Sequence, residues 1–169
     1  IIKKGTAENT TIDEKSADLI TVAQAFHWFD IEKFRNECRR ILKPNGNVFI
    51  IWNKLDTNNI IVRELKDVDY KYAKRYDEID NVLKDENREE IIKQFFKNQS
   101  YDTKIIENNL KNNKEKFIGF NLSKSYSLRK GETNYKNYIK GFESIFEKYN
   151  NGGTIMIANK AYGYLGKIE

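Results

Sequence analysis

The sequence predicts an α/β layered fold, and three observations carry that prediction. Leu19, Ile20, Val22 and Ala23 form a nearly continuous apolar run with no Gly or Pro inside it. An amphipathic helical pattern follows directly, and a second apolar run, "NVFIIW", comes after a "KPNG" turn. Strand, helix, strand over residues 18 to 52 is the unit of a parallel sheet, and such a unit crosses over right-handed.

The elements follow in chain order. "IIKKG" reads as the end of a buried strand that turns at Gly5. "SADLITVAQAF" reads as a strand covered on both faces, as strands of parallel sheets are. Asp30 is a candidate N-cap for a helix over residues 31 to 42, with Ile31, Phe34, Cys38, Ile41 and Leu42 on one face. Beyond Trp52 the alternation breaks. Ile61, Leu65, Val68, Tyr72 and Tyr76 recur at helical spacing, as do Ile91, Ile92, Phe95 and Phe96, which predicts a helical insert at 58–98. "TKIIENNL" returns the chain to the sheet, and "FIGFNLSKSYSL" reads as a short helix and a loop. Thr133 is placed to cap a long helix whose core face is Tyr135, Tyr138, Ile139, Phe142, Ile145, Phe146 and Tyr149. "TIMIANKAYGYLGKI" closes with strands. The whole of 1–169 reads as one domain.

Composition narrows the function classes. Hydrophobic residues are 39% and charged residues 33% of 169, the balance of a soluble globular protein. No apolar stretch approaches the ~18 residues a membrane span needs, and "IIKKGTAENTT" has no signal-peptide pattern. The net charge of +5 does not point to nucleic acid, because Lys and Arg alternate with Asp and Glu instead of gathering on one face. One cysteine, Cys38, excludes an internal disulfide and fits a cytoplasmic location; its helical spacing makes it a core residue. One His and one Cys leave no zinc-type ligand set, so no metal is expected.

The stretch "GTAENTTIDEKSADLITVAQAFHWFDIEKFRNECRRILKPNGNVFIIWN" resembles the second half of class I S-adenosylmethionine-dependent methyltransferases of the trans-aconitate and ubiquinone-biosynthesis type. The resemblance rests on Gly5, Ala7 and Glu8, on Asp18 to Ile20, on Gln24 to Phe29, and on Arg40 to Gly46. It is loose beyond residue 53. It implies a Rossmann-like methyltransferase sheet, S-adenosylmethionine as cofactor and a small-molecule methyl acceptor, with O-methylation of a carboxylate as its suggested chemistry. It further implies that Ala7 and Glu8 lie near the adenine and that Gln24, Ala25 and Phe26 line the methionine part. His27 and Trp28 would face the methyl group and substrate, with His27 in the catalytic position.

The pattern is incomplete. The family's glycine-rich loop and the acidic residue that holds the ribose have no counterpart, since no Gly-x-Gly occurs. The sequence therefore predicts an N-terminally truncated domain that starts at the family's third strand and is inactive alone. The strand at 18–25 would then be an apolar edge, open to pairing in a homodimer or to covering by residues 1 to 5.

The residues also have plain structural readings. A histidine beside two aromatics is commonly a packed group, Trp28 can anchor the helix start, and Glu8 alone is a surface carboxylate. Ser123, Ser125 and Tyr126 can hydrogen-bond a polar substrate, with Ser125 and Tyr126 taken as substrate candidates, or can simply close a loop. The alternative to an enzyme is a non-catalytic interaction module that retains the sheet.

Overall fold

Asp30 sets where the first helix starts: its carboxylate accepts from the Lys33 backbone N–H at 3.2 Å, satisfying an amide that the helix leaves unpaired. The computed structural model describes residues 2–73, 76 and 85–168. Helix α1, Ile31–Ile41, lies between strands β1, Ala17–Ala23, and β2, Leu42–Leu55. The strands pair in parallel from Leu19 opposite Asn47 to Ala23 opposite Ile51, with a register shift near Ala17. The strand–helix–strand unit is thus the one the apolar pattern predicts. Phe34, Cys38 and Ile41 form the buried face of α1, each burial contributing roughly 1.5–3 kcal/mol for the larger side chains. Pro44 does not end the unit in a loop, because β2 already runs through it.

The chain divides into two units whose boundaries fall within β2, β3 and β6. Unit 1 comprises Ile1–Asn53, Leu83–Ile106 and Ala161–Glu169. It holds helix α3, Asp85–Phe95, and is built on a sheet of order β1-β2-β6-β3, with β3 at Tyr101–Glu107 and β6 at Asn159–Gly166. Gly163 lies against the Phe49 ring while Lys167 reaches Asn45, so β6 runs antiparallel to β2. Its core gathers Val22, Phe26, Phe34, Cys38, Val48, Ile50, Trp52, Ile92 and Phe95.

Unit 2 comprises Lys54–Val82 and Glu107–Lys160. It contains α2, Ile60–Tyr72, α4, Lys114–Leu122, and α5, Tyr135–Tyr149. Strands β4, Leu110–Asn113, and β5, Thr154–Ile157, pair antiparallel. Val62, Leu65, Phe117, Tyr138, Phe142, Ile155 and Ile157 form its core. The segment expected as one helical insert, 58–98, is shared: α2 belongs to unit 2 and α3 to unit 1, while residues 74, 75 and 77–84 lie outside the described residues.

Three expectations are corrected. Residues 2–5 form no strand and Ile2 is fully exposed, because no sheet neighbour reaches them among the described residues. β1 is not covered on both faces: Val22 is buried, but Leu19 retains 50% exposure, since the strand is at the sheet edge. Thr133 does not cap α5. Asn134 takes the N-cap position with φ of +69° and no side-chain cap bond, a left-handed conformation that Asn tolerates better than Thr.

Candidate functional site

At the carboxyl end of β1 the backbone makes an abrupt left-handed step. Gln24 has φ of +56°, an uncommon value for a residue with a Cβ, and its N–H still donates to Ile51 O at 3.0 Å. Its side-chain Nε2 reaches Asn53 O at 3.4 Å. The step throws the chain into a single 3-10 turn over Phe26–Trp28 before α1 begins. Such conformations collect at sites where the surrounding structure has to hold a backbone in place.

That turn sorts three aromatic side chains. Phe26 points inward with 1% exposure, its ring edge-on to those of Phe29, Phe34, Trp52 and Phe95. Trp28 points outward and keeps 67% of its surface in solvent. His27, half-buried, lies between two indoles, its ring centroid 4.8 Å from Trp28 and 6.3 Å from Trp52.

The Ala7–Glu8 turn meets the same place. Thr6 and Asn9 exchange backbone hydrogen bonds at 3.3 Å, which closes the turn. Glu8 Oε1 accepts from the Asp30 N–H at 3.1 Å, and Ala7 packs against the core beside Ala25 and Phe29. Backbone donors at Glu8 and Asp30 hold the Glu8 carboxyl below its ordinary pKa. The Lys33 side chain, together with its backbone N–H, does the same for Asp30. The structure therefore brings Ala7, Glu8, Gln24, Ala25, His27 and Trp28 to one end of β1, with the Phe26 ring kept as core. Beside them an apolar groove of about 390 Å³ runs along β1, lined in part by Ala7, Leu19, Thr21, Ala25 and Phe29.

Ser125 and Tyr126 belong to unit 2. Both line a cavity of about 620 Å³ there, together with Tyr72, Ser127, Arg129 and Asn134. Behind Tyr126 lies a group that sequence reasoning missed. Asp69, 1% exposed, accepts from Lys124 Nζ at 2.8 Å and Tyr126 OH at 3.3 Å on Oδ2, and from Tyr138 OH at 2.6 Å on Oδ1. Burial pushes the Lys124 ammonium below its ordinary pKa and both phenols above theirs. The signal was present: Asp69 stands four residues after Leu65 and seven after Val62, inside the buried stripe of α2. Among the described residues no group of His, Cys, Asp and Glu is arranged to hold a metal, and no helix is long and apolar enough to cross a membrane.

Residues 1–50 match the family described as a methyltransferase domain. An uncharacterised methyltransferase of Mycobacterium tuberculosis is 41% identical over 64 residues, which is 38% of this chain and 26% of the relative. An uncharacterised methyltransferase-like protein of Schizosaccharomyces pombe is 33% identical over 72 residues, 43% of this chain and 28% of that protein. The matches thus span about a quarter of the length of these relatives. A candidate type II methyltransferase from Anaeromyxobacter dehalogenans superposes with a TM-score of 0.54 at 18% identity, covering 97% of this chain and 70% of that one. That likeness is one of fold, and the fold is the Rossmann-like methyltransferase architecture.

Proposed function

We propose, on the premise that residues 1–50 belong to the methyltransferase-domain family, that the protein is an S-adenosylmethionine-dependent methyltransferase acting on a small molecule. The observation that carries this reading is the left-handed step at Gln24, which ends β1 and leads through the His27–Trp28 turn to Asp30, whose amide Glu8 holds.

The residues at this end of β1 fit the cofactor's chemistry. An exposed indole beside an imidazole suits a sulfonium, whose charge is attracted to ring faces. Ala7, Glu8, Gln24, Ala25 and the backbone at Phe26 are the residues assigned to hold it. When bound, the cofactor supplies an activated methyl group. The chain's own contribution is then positioning: aligning acceptor and methyl in line replaces an encounter with an oriented contact. With a carboxylate acceptor, already ionised, His27 orients it and offsets its charge. With a hydroxyl or amine acceptor, His27 serves as general base, the imidazole being the side chain suited to proton transfer near neutral pH. O-methylation of a carboxylate is the finer assignment, and Ser125 and Tyr126 are assigned to acceptor contacts.

The test is a calorimetric titration with S-adenosylmethionine, run on this chain and on W28A. Saturable binding that W28A weakens at least tenfold supports the site. Binding unchanged by W28A, or absent from the protein expressed from its full gene, overturns it. A second reading, a non-catalytic interaction module, is favoured by one observation: β1 is an edge strand with Leu19 half exposed over an apolar groove. A homodimer through residues 18–25 follows from the open edge under either reading and does not separate this second one. A chain that dimerises through β1 and never binds the cofactor would favour it.

A further inference from the structure

Unit 2 contains a place built for a cation, and the cation in it is the chain's own. Lys124 Nζ sits 2.8 Å from the Asp69 carboxylate, 5.6 Å from the Tyr126 ring centroid and 5.9 Å from that of Phe142. Its side chain keeps 15% exposure and Asp69 keeps 1%. The rings are themselves fixed: Tyr126 packs edge-on against Tyr76 at 4.9 Å, and Phe142 against Tyr138 at 4.6 Å. Tyr138 OH occupies the other carboxylate oxygen, and Ser127 lies 3.4 Å from that phenol. A carboxylate flanked by aromatic faces is a receptor for an ammonium group, because the charge gains both an ion pair and ring quadrupoles out of water.

One residue of the receptor also lines a cavity. Tyr126 belongs at once to the cation's surroundings and to the wall of the 620 Å³ cavity, with Ser125 and Ser127 beside it. The lysine arrives on the segment that follows α4, whereas Asp69 belongs to α2, so occupant and carboxylate are carried by separate elements. We propose that Asp69, Tyr126 and Phe142 form a binding site for a primary alkylammonium ligand, held shut by Lys124 acting as an internal occupant. The contact is autoinhibitory: a free amine competes with a tethered one of high effective concentration. The inference does not depend on the methyl-transfer reading.

Lys124→Ala removes three methylenes and the ammonium, the volume of n-propylammonium. The experiment measures the thermal midpoint and calorimetric affinity of wild type, K124A and K124A/D69N with n-propylammonium chloride, using n-propanol and sodium chloride as controls. The proposal expects n-propylammonium to bind K124A at least tenfold more tightly than wild type and to raise the K124A midpoint. Neither control should do so, and K124A/D69N should lose the effect. Equal affinity for wild type and K124A, or equal rescue by n-propanol or salt, overturns it. Should K124A fail to fold unaided, refolding in n-propylammonium replaces the titration. Recovery there supports the site, and a chain that stays unfolded with the amine present refutes it.

Discussion

Thr10 holds Glu37 with two of its own groups, the backbone N–H at 2.8 Å and Oγ1 at 2.5 Å, across 27 positions of sequence. Arg40 completes the grip from one turn along α1, through Nε at 2.9 Å and Nη2 at 2.7 Å. The carboxylate is 7% exposed, and the segment leading to β1 is tied to the helix by it.

The Arg40 guanidinium, with the two Thr10 donors, lowers the Glu37 pKa from 4.5 to about 2. A depressed folded-state value contributes stability that is complete above the unfolded pKa and lost as pH falls from about 4.5 toward 2. Glu37→Gln should therefore cost about 2 kcal/mol at pH 7, the usual loss of a charge-assisted bond. Near pH 2.5 the cost should shrink. Urea midpoints at the two pH values measure both.

Asp69→Asn leaves the Lys124 ammonium buried without its counter-charge. Removing one partner of a buried pair costs roughly 3–5 kcal/mol. The amide that replaces the carboxylate retains a carbonyl for one phenol, so the loss should sit near the lower bound. Denaturant unfolding gives the value, and a loss below about 1 kcal/mol would show that water reaches the pair.

Gln24→Gly should leave stability unchanged or raise it by up to ~1 kcal/mol, since glycine enters φ of +56° without a Cβ clash. Gln24→Val should lower it, a β-branched side chain being poorly tolerated there. A thermal midpoint that holds or rises for glycine and falls for valine is the expected pair, and a fall for both would contradict the left-handed step.

Gly166 has no room for a side chain: a Cβ there would meet the Phe96 ring at 2.5 Å. Gly166→Ala should destabilise by about 1–3 kcal/mol through forced repacking of unit 1. A Phe96→Leu second change that recovers part of the loss would identify the ring as the cause.

Cys38 is fully buried, and desolvation pushes its thiol up to about 12. A thiol reagent at neutral pH should label it only at the rate of unfolding. Fast labelling of native protein would contradict the packing of α1.

Much of unit 1 was legible in the sequence because its signals are local. Asp30 names a helix start, the spacing of Phe34, Cys38 and Ile41 names a face, and "NVFIIW" names a strand. What stayed hidden depends on partners far away in sequence. Leu19 reads as core, yet whether an apolar residue is covered is decided by the strand next to it. The spacing of Asp69 sets it in the buried stripe of α2, but the groups that satisfy it, Lys124 and Tyr138, come 55 and 69 positions later. Among the candidate residues, the resemblance named Gln24 to Trp28, which lie at the end of β1, whereas Phe26 differs from its neighbours through the four rings around it.

The open side of β1 has one more consequence. Ser16 and Gln24 donate their amides to Ile41 and Ile51 of the helix end and β2. In a parallel ladder the alternation that ends at Gln24 directs the amides of Ile20 and Val22 toward β2 as well. Those of Leu19, Thr21 and Ala23 then face outward. Amide hydrogen exchange along this one strand should read as a comb, slow at 20, 22 and 24 and fast at 19, 21 and 23. Any molecule that lies down along the strand would fill the gaps in the comb, and the number of teeth gained would give the length of the added pairing.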